Sequence, residues 1–311
     1  KTTHTISQVF TFNLFFKLFL QKQENHIRMI YSSSPPLLDH YGALLRHSKT
    51  TTTTLQKTQE CNNGHYNNGV VMEECQLPLI DLNGLKSHDM WEQAECVRAI
   101  SKASSEWGFF QVVNHGISPE LVKRMREHQM KLFEAPFEHK ASSRLLNNSY
   151  KWGTPTATRP NQFSWSEAFH IPLTKISDES CYGEFSSLRE VTEEFASAMS
   201  NLARLLAGIL VENLGHHRQA WSNDVYKSVE HRVMASKIER FSVAYFLCPS
   251  YDSLIGSCRE PSIYRDFTFR EYRMQVQEDV KKTGRKVGLS RFLLHDQDQS
   301  MHTRVMQKRQ L

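Results

Sequence analysis

The chain has 311 residues, 39% of them hydrophobic and 23% charged, which is enough apolar content for a packed core and excludes global disorder. Its formal charge of +5 is small and scattered, and no dense basic stripe interleaved with aromatics is present, so nucleic acid is a poor partner. Six cysteines (61, 75, 96, 181, 248 and 258) form no Cys-x-x-Cys pair, as expected of reduced thiols in a cytoplasmic, or also nuclear, protein.

In chain order, residues 9–20 (VFTFNLFFKLFL) form an apolar run preceded by Lys1. The run is shorter than the roughly 20 residues a membrane span needs, Lys17 interrupts it, and no small-residue cleavage site follows. The first methionine is Met29, so residues 1–28 read as translated leader. Residues 29–76, with SKTTTTTLQK and NNGHYNNG, bury little apolar surface, and 1–76 as a whole is expected to be leader and flexible lead-in.

Order is expected from LPLIDL (77–82), a short strand. Trp91, Ala94, Val97, Ile100 and Ala103 then recur at helical spacing. WGFFQVVNHG (107–116) reads as a strand closed by Gly116. Ser118, Pro119 and Glu120 signpost a helix start and Pro136 its stop; Leu121, Met125, His128 and Leu132 share one face. After a polar, proline-punctuated stretch, FSWSEAFHIPL (163–173) suggests a bent strand. The longest periodic segment is 186–214, where Leu188, Val191, Phe195, Ala198, Leu202, Leu205, Ile209 and Leu210 make an apolar stripe ended by Gly215. Strands are expected around 231–247 and a last helix over 268–282, with Phe269, Tyr272, Val276 and Val280. The tail from 295 is polar.

Arg240 and Ser242 stand two apart in RFSVAYF, a strand-like run. Side chains at i and i+2 share a face, and a guanidinium fork beside a hydroxyl can hold a small carboxylate. Arg-x-Ser alone is a weak signal, as is the lone His231. The full set of motifs is much stronger. LPLIDL, WGFFQVVNHGI, WSEAFHIPL and WSNDVYKSVEHRV followed by RFSVAYFLCPS resemble, in that order, the plant 2-oxoglutarate- and Fe(II)-dependent dioxygenases. KWGTPTATRPNQFSWSEAFHIPL resembles the gibberellin 2-beta-dioxygenases, in particular those acting on C20 gibberellins.

That resemblance implies an α+β fold, a double-stranded β-helix or jelly roll with supporting helices. It implies Fe(II) as cofactor, 2-oxoglutarate as cosubstrate and ascorbate as an optional addition. The implied substrate is a gibberellin-type diterpenoid acid, inactivated by 2β-hydroxylation coupled to decarboxylation of 2-oxoglutarate. His231 maps onto the second iron histidine, and Arg240 and Ser242 onto the clamp for the distal carboxylate of 2-oxoglutarate.

The chain departs from the family between LLAGILVENLGHHR and QAWSND, where relatives carry several barrel strands, the His-x-Asp motif and a tyrosine that helps bind 2-oxoglutarate. Here Arg218 passes directly to Gln219, and no His-x-Asp or His-x-Glu follows. His216 and His217 sit at a helix end with no acid two residues on, and the HDQD run (His295 to Asp298) lies in the tail beyond the clamp. The expected organisation is a lead-in (1–76), an N-terminal dioxygenase region (77–218), a remnant of the iron domain (219–294) and a tail (295–311). No catalytic residue is assigned. The barrel is expected to be incomplete, and the chain inactive and prone to stay partly open or to aggregate. Two other readings remain: a truncated non-catalytic isoform that acts by binding, and a relative with another substrate, such as a gibberellin 20- or 3-oxidase or a flavonoid oxidase. Oligomeric state is not legible.

Overall fold

In the computed structural model, the described residues are 16–20, 37–56, 76–142, 144–155, 157–158, 162–215, 220–228, 240–257, 261–283 and 286–294. The expected elements at 229–239, the junction at 216–219 and the tail from 295 lie outside them.

Three helices build the main core. α2 (Met90–Glu106) starts where the Asp89 side chain accepts from the Trp91 N–H at 2.8 Å. α3 (Pro119–Glu134) opens on proline at its first position, as the sequence signals. α5 (Ser186–Asn213) turns its stripe of Leu188, Val191, Phe195, Met199, Leu202, Leu206 and Leu210 onto α2 and α3, and Gly215 just beyond has φ +78°. The segment 183–213 is long and apolar enough to cross a membrane by length and composition. In this fold, however, its apolar stripe is the core, and Arg189, Glu193 and Glu194 hold ion pairs on other faces.

The α2 face differs from the expected one. Trp91 is 71% exposed and carries the Arg98 guanidinium 5.0 Å from its ring centroid, whereas Cys96, Ile100 and Ala103 are buried. Trp91 lies in the first turn, beyond the body of the core, so its spacing fits the stripe while its height does not. On α3 the buried set is Leu121, Met125, Gln129 and Leu132, with Gln129 in the place expected for His128.

The strands are short. β2 (Leu79–Asp81) pairs in parallel with β3 (Gln111–Val113), burying Ile80. β4 (Lys151–Trp152) pairs with β5 (Glu167–Ala168), which is all that forms of the strand expected over 163–173. The one-turn helix α4 (Phe137–Lys140) is tied to β5 by a buried Lys140, whose ammonium donates to both Glu167 carboxylate oxygens (2.8 and 3.1 Å) and to the Phe133 carbonyl. β6 (Ala220–Trp221), β8 (Leu254–Ser257) and β9 (Phe267–Thr268) make a three-stranded sheet against α6 (Phe269–Thr283). Cys248, Ile255, Phe267, Phe269, Tyr272 and Phe292 form a second, smaller core there. Among the described residues the strands fall into four small sheets, not two facing ones.

The lead-in, expected to be flexible, contains two elements. α1 (Leu38–Gln56) buries Tyr41, whose ring stacks on Phe163 at 4.0 Å, with Trp152 and Trp165 at its edges. One apolar anchor with a defined slot outweighs the polar composition around it. β1 (Phe16–Leu20), within the segment expected to be leader, pairs antiparallel with β7 (Phe241–Tyr245).

Candidate functional site

β7 carries the expected carboxylate clamp, and its alternation decides where that clamp points. Phe241 and Tyr245 are buried and Val243 packs on the main core; Phe133 of α3 meets Phe241 at 6.2 Å between ring centroids. By the two-residue period, Arg240, Ser242 and Ala244 take the other face. Arg240 and Ala244 are exposed there and Ser242 is half-buried. The strand therefore brings Arg240 and Ser242 together on one open face. His231 lies outside the described residues.

The strand is held to the helical core through its backbone as well. The Gln129 amide, from α3, donates to the Ser242 carbonyl at 2.9 Å. Gln129 thus helps to hold β7, a role the sequence reading missed. Its signal was a polar residue in the row Leu121, Met125, Gln129, spaced by four, which only a buried amide with a backbone partner satisfies.

Away from β7, the chain leaves β3 through a tight turn. The Asp81 carboxylate accepts from the Asn83 N–H and from the Asn114 side chain (2.8 and 2.9 Å), and these bonds hold its pKa below the usual carboxylate range. Asn114 (φ +53°) and Gly116 (φ +80°) turn the chain out of β3. Burial lowers the His115 and His170 pKa values; the Ile117 N–H donates to His115 Nδ1 at 3.2 Å. At the other end, Tyr226, fully buried, donates to the Leu210 carbonyl and accepts from the Asn213 amide, fastening the chain after the junction to the end of α5.

Residues 77–191 match the family described as the N-terminal part of a non-haem dioxygenase in morphine synthesis, and residues 200–249 match the 2OG-Fe(II) oxygenase superfamily. The chain is 39% identical to gibberellin 2-beta-dioxygenase 6 of Oryza sativa subsp. japonica, over 84% of this chain and 96% of that protein. It belongs to the 2OG-Fe(II) oxygenase superfamily, among the gibberellin 2-beta-dioxygenases. This oxygenase is also 40% identical to gibberellin 2-beta-dioxygenase 8 of Arabidopsis thaliana, over 72% of this chain and 89% of the relative. A rice dioxygenase for auxin oxidation shares its fold, with a TM-score of 0.56, 20% identity and coverage of 70% of this chain and 100% of that one. JOX2, crystallised with 2OG, Fe and JA, gives a TM-score of 0.51 at 23% identity, covering 71% of this chain and 92% of that one. The fold class is therefore that of the jelly-roll oxygenases.

The rice relative aligns over 349 positions that take in only about 261 residues of this oxygenase, leaving about 88 positions opposite a gap. For the Arabidopsis relative, 304 positions take in about 224 residues, leaving about 80.

The family's iron demands two histidines and a carboxylate on one face. No histidine anywhere in the 311 residues is followed two positions later by Asp or Glu. Among the described residues, no three His, Cys, Asp or Glu side chains converge on a point that could hold a metal. The residues present do not fit the group.

Proposed function

We propose that this chain is a gibberellin 2-beta-dioxygenase-type protein whose lineage inactivates gibberellins by 2β-hydroxylation, and that this 311-residue form does not turn over. The observation that carries the second half is the missing His-x-acid pair together with the 80 to 88 unmatched alignment positions. Motif order locates that gap between Arg218 and Gln219, so the barrel is incomplete. His231 is then the single remaining iron ligand, and Arg240 with Ser242 the remaining grip for 2-oxoglutarate. Support for the grip is their shared, open face on β7. Support for the gibberellin class is that relatives bearing that name keep 31–40% identity over 72–85% of this chain, whereas two jasmonate-induced oxygenases aligned over 65% of it reach 23% and 24%. A cytoplasmic, or also nuclear, location fits the buried, reduced thiols of Cys96 and Cys181.

The test is Fe(II)-dependent, gibberellin-coupled release of carbon dioxide from 2-oxoglutarate. The chain is expected to stay at background, and a chimera with the relative's unmatched segment inserted between Arg218 and Gln219 to turn over. Turnover by the 311-residue chain overturns the inactivity. A chimera that oxidises a flavonoid or jasmonate but no gibberellin overturns the substrate class.

A further inference from the structure

β7 is the strand on which the clamp stands, and its edge is a hazard. Phe241–Tyr245 reads FSVAY, with no charge and no proline, so nothing in it discourages pairing with another chain. In a closed jelly roll such a strand has barrel neighbours. Here its neighbour is β1, more than 200 residues away in the chain. Phe16, Lys17, Leu18, Phe19 and Leu20 stand opposite Tyr245, Ala244, Val243, Ser242 and Phe241, in continuous antiparallel register. The pairing covers the whole of β7 and satisfies one side of its backbone.

We propose that residues 16–20 are a built-in edge strand that masks the clamp strand from a second copy of this chain. The occupant of the edge is a segment of the same molecule, and the partner excluded is the identical strand of another molecule. Composition suits both roles: an uncharged apolar strand pairs with any extended apolar segment, and the tethered one is present at a high effective concentration. This inference rests on the observed pairing, not on the loss of turnover, and stands or falls separately from it.

Register gives the first test. Directly opposite strand positions lie within disulfide reach, whereas positions displaced by two residues lie roughly 7–8 Å apart. In the full chain, Lys17→Cys/Ala244→Cys is expected to cross-link within the molecule at least about tenfold faster than Lys17→Cys/Ser242→Cys, read by peptide mass. Equal rates, or no cross-link, overturn the pairing. The second test is Leu18→Pro/Phe19→Pro, adjacent positions chosen so that one of them removes a ladder donor whichever way the hydrogen bonds alternate. Amide protection is expected to fall at least about tenfold in 241–245 while α3 and α5 keep theirs, and the protein to shift from monomer to dimer or larger in sedimentation. Unchanged protection at 241–245 overturns the pairing. Lost protection in a protein that stays monomeric overturns the masking.

Discussion

The helical region and the segment after it solve the same problem with very different means. Through α2, α3 and α5 the main core is one contiguous cluster with side chains drawn from nearly every turn. Beyond the junction, six buried residues make the second core, and the clamp strand leans on the helices by one face and one backbone bond from Gln129. A helix carries its own backbone hydrogen bonds, so a helical layer survives with few neighbours. A strand cannot, and its stability depends on what lies beside it. The helices of this oxygenase thus supply their own backbone bonds, whereas β7 depends on what lies beside it.

The largest effect should separate the two cores. Phe195, 3% exposed, sits mid-stripe on α5, and Phe195→Ala should cost about 3–5 kcal/mol through transfer and cavity terms. The loss should be global, seen in protection across α2, α3 and α5. Phe267→Ala, in the small core, should instead lower protection mainly in β8, β9 and α6. If both variants melt the whole molecule in one transition, the contrast drawn here fails.

Next comes the ion pair that joins α4 to β5. The Lys140 side chain is 2% exposed and fully engaged, while Glu167 keeps 22% exposure. Lys140→Ala would leave the Phe133 carbonyl unmet and Glu167 with only the Tyr150 hydroxyl, at about 3 kcal/mol, the lower end for a buried pair because Glu167 keeps that partner and access to water. Calorimetry checks it; a change below about 1 kcal/mol would mean water already serves the carboxylate.

Gln129→Leu tests the link between the regions. It removes the bond to Ser242 together with the Gln129 Oε1, which is buried with no partner. Leaving the Ser242 carbonyl unmet should cost about 1 kcal/mol, partly offset by the apolar replacement. Protection should drop in 241–245 and hold in α3. The reverse pattern would assign Gln129 to the helix alone.

Acid should also divide the regions. His115 and His170 belong to the helical region, and burial lowers both pKa values. The neutral forms are therefore favoured by folding. Their contribution is complete above the unfolded value of about 6.5 and fades as pH falls through the lower folded values. Protonating His115 Nδ1 also breaks its bond from Ile117. In the second region the lowered carboxyl among the described residues is Glu271, held by the Thr268 backbone N–H, and its contribution fades only in the carboxylate range. Amide exchange at pH 5.5 should show loosening around β3 and β5 before any around α6.

What could be read from the sequence divides along the same line. Helical periodicity located α3, α5 and α6 within a few residues, because an amphipathic face is written locally. The turn after β3 was legible in its asparagine and glycine. The lead-in was misjudged because a single tyrosine, Tyr41, anchors α1 in an aromatic slot over 100 residues away. The β1–β7 pairing was invisible for a like reason: sheet partners are chosen by what else is available, and no local pattern names them. Arg240 and Ser242 could be singled out by their motif, whereas the bond from Gln129 to β7 and the pair between Lys140 and β5 could not, because both depend on distant partners.

The smallest expected effect is the most direct reading of the clamp strand. Alternation turns Arg240 outward while Phe241, 6% exposed, is buried beside Phe133 of α3. Arg240→Ala should therefore change stability by no more than about 0.5 kcal/mol, the range of exposed substitutions. Phe241→Ala, one residue on, should cost several times more. A closed barrel would bury the clamp face and make Arg240 costly to remove. Urea denaturation of the two variants thus asks which face of β7 meets water, and a marked loss for Arg240→Ala would mean that the clamp face is covered after all.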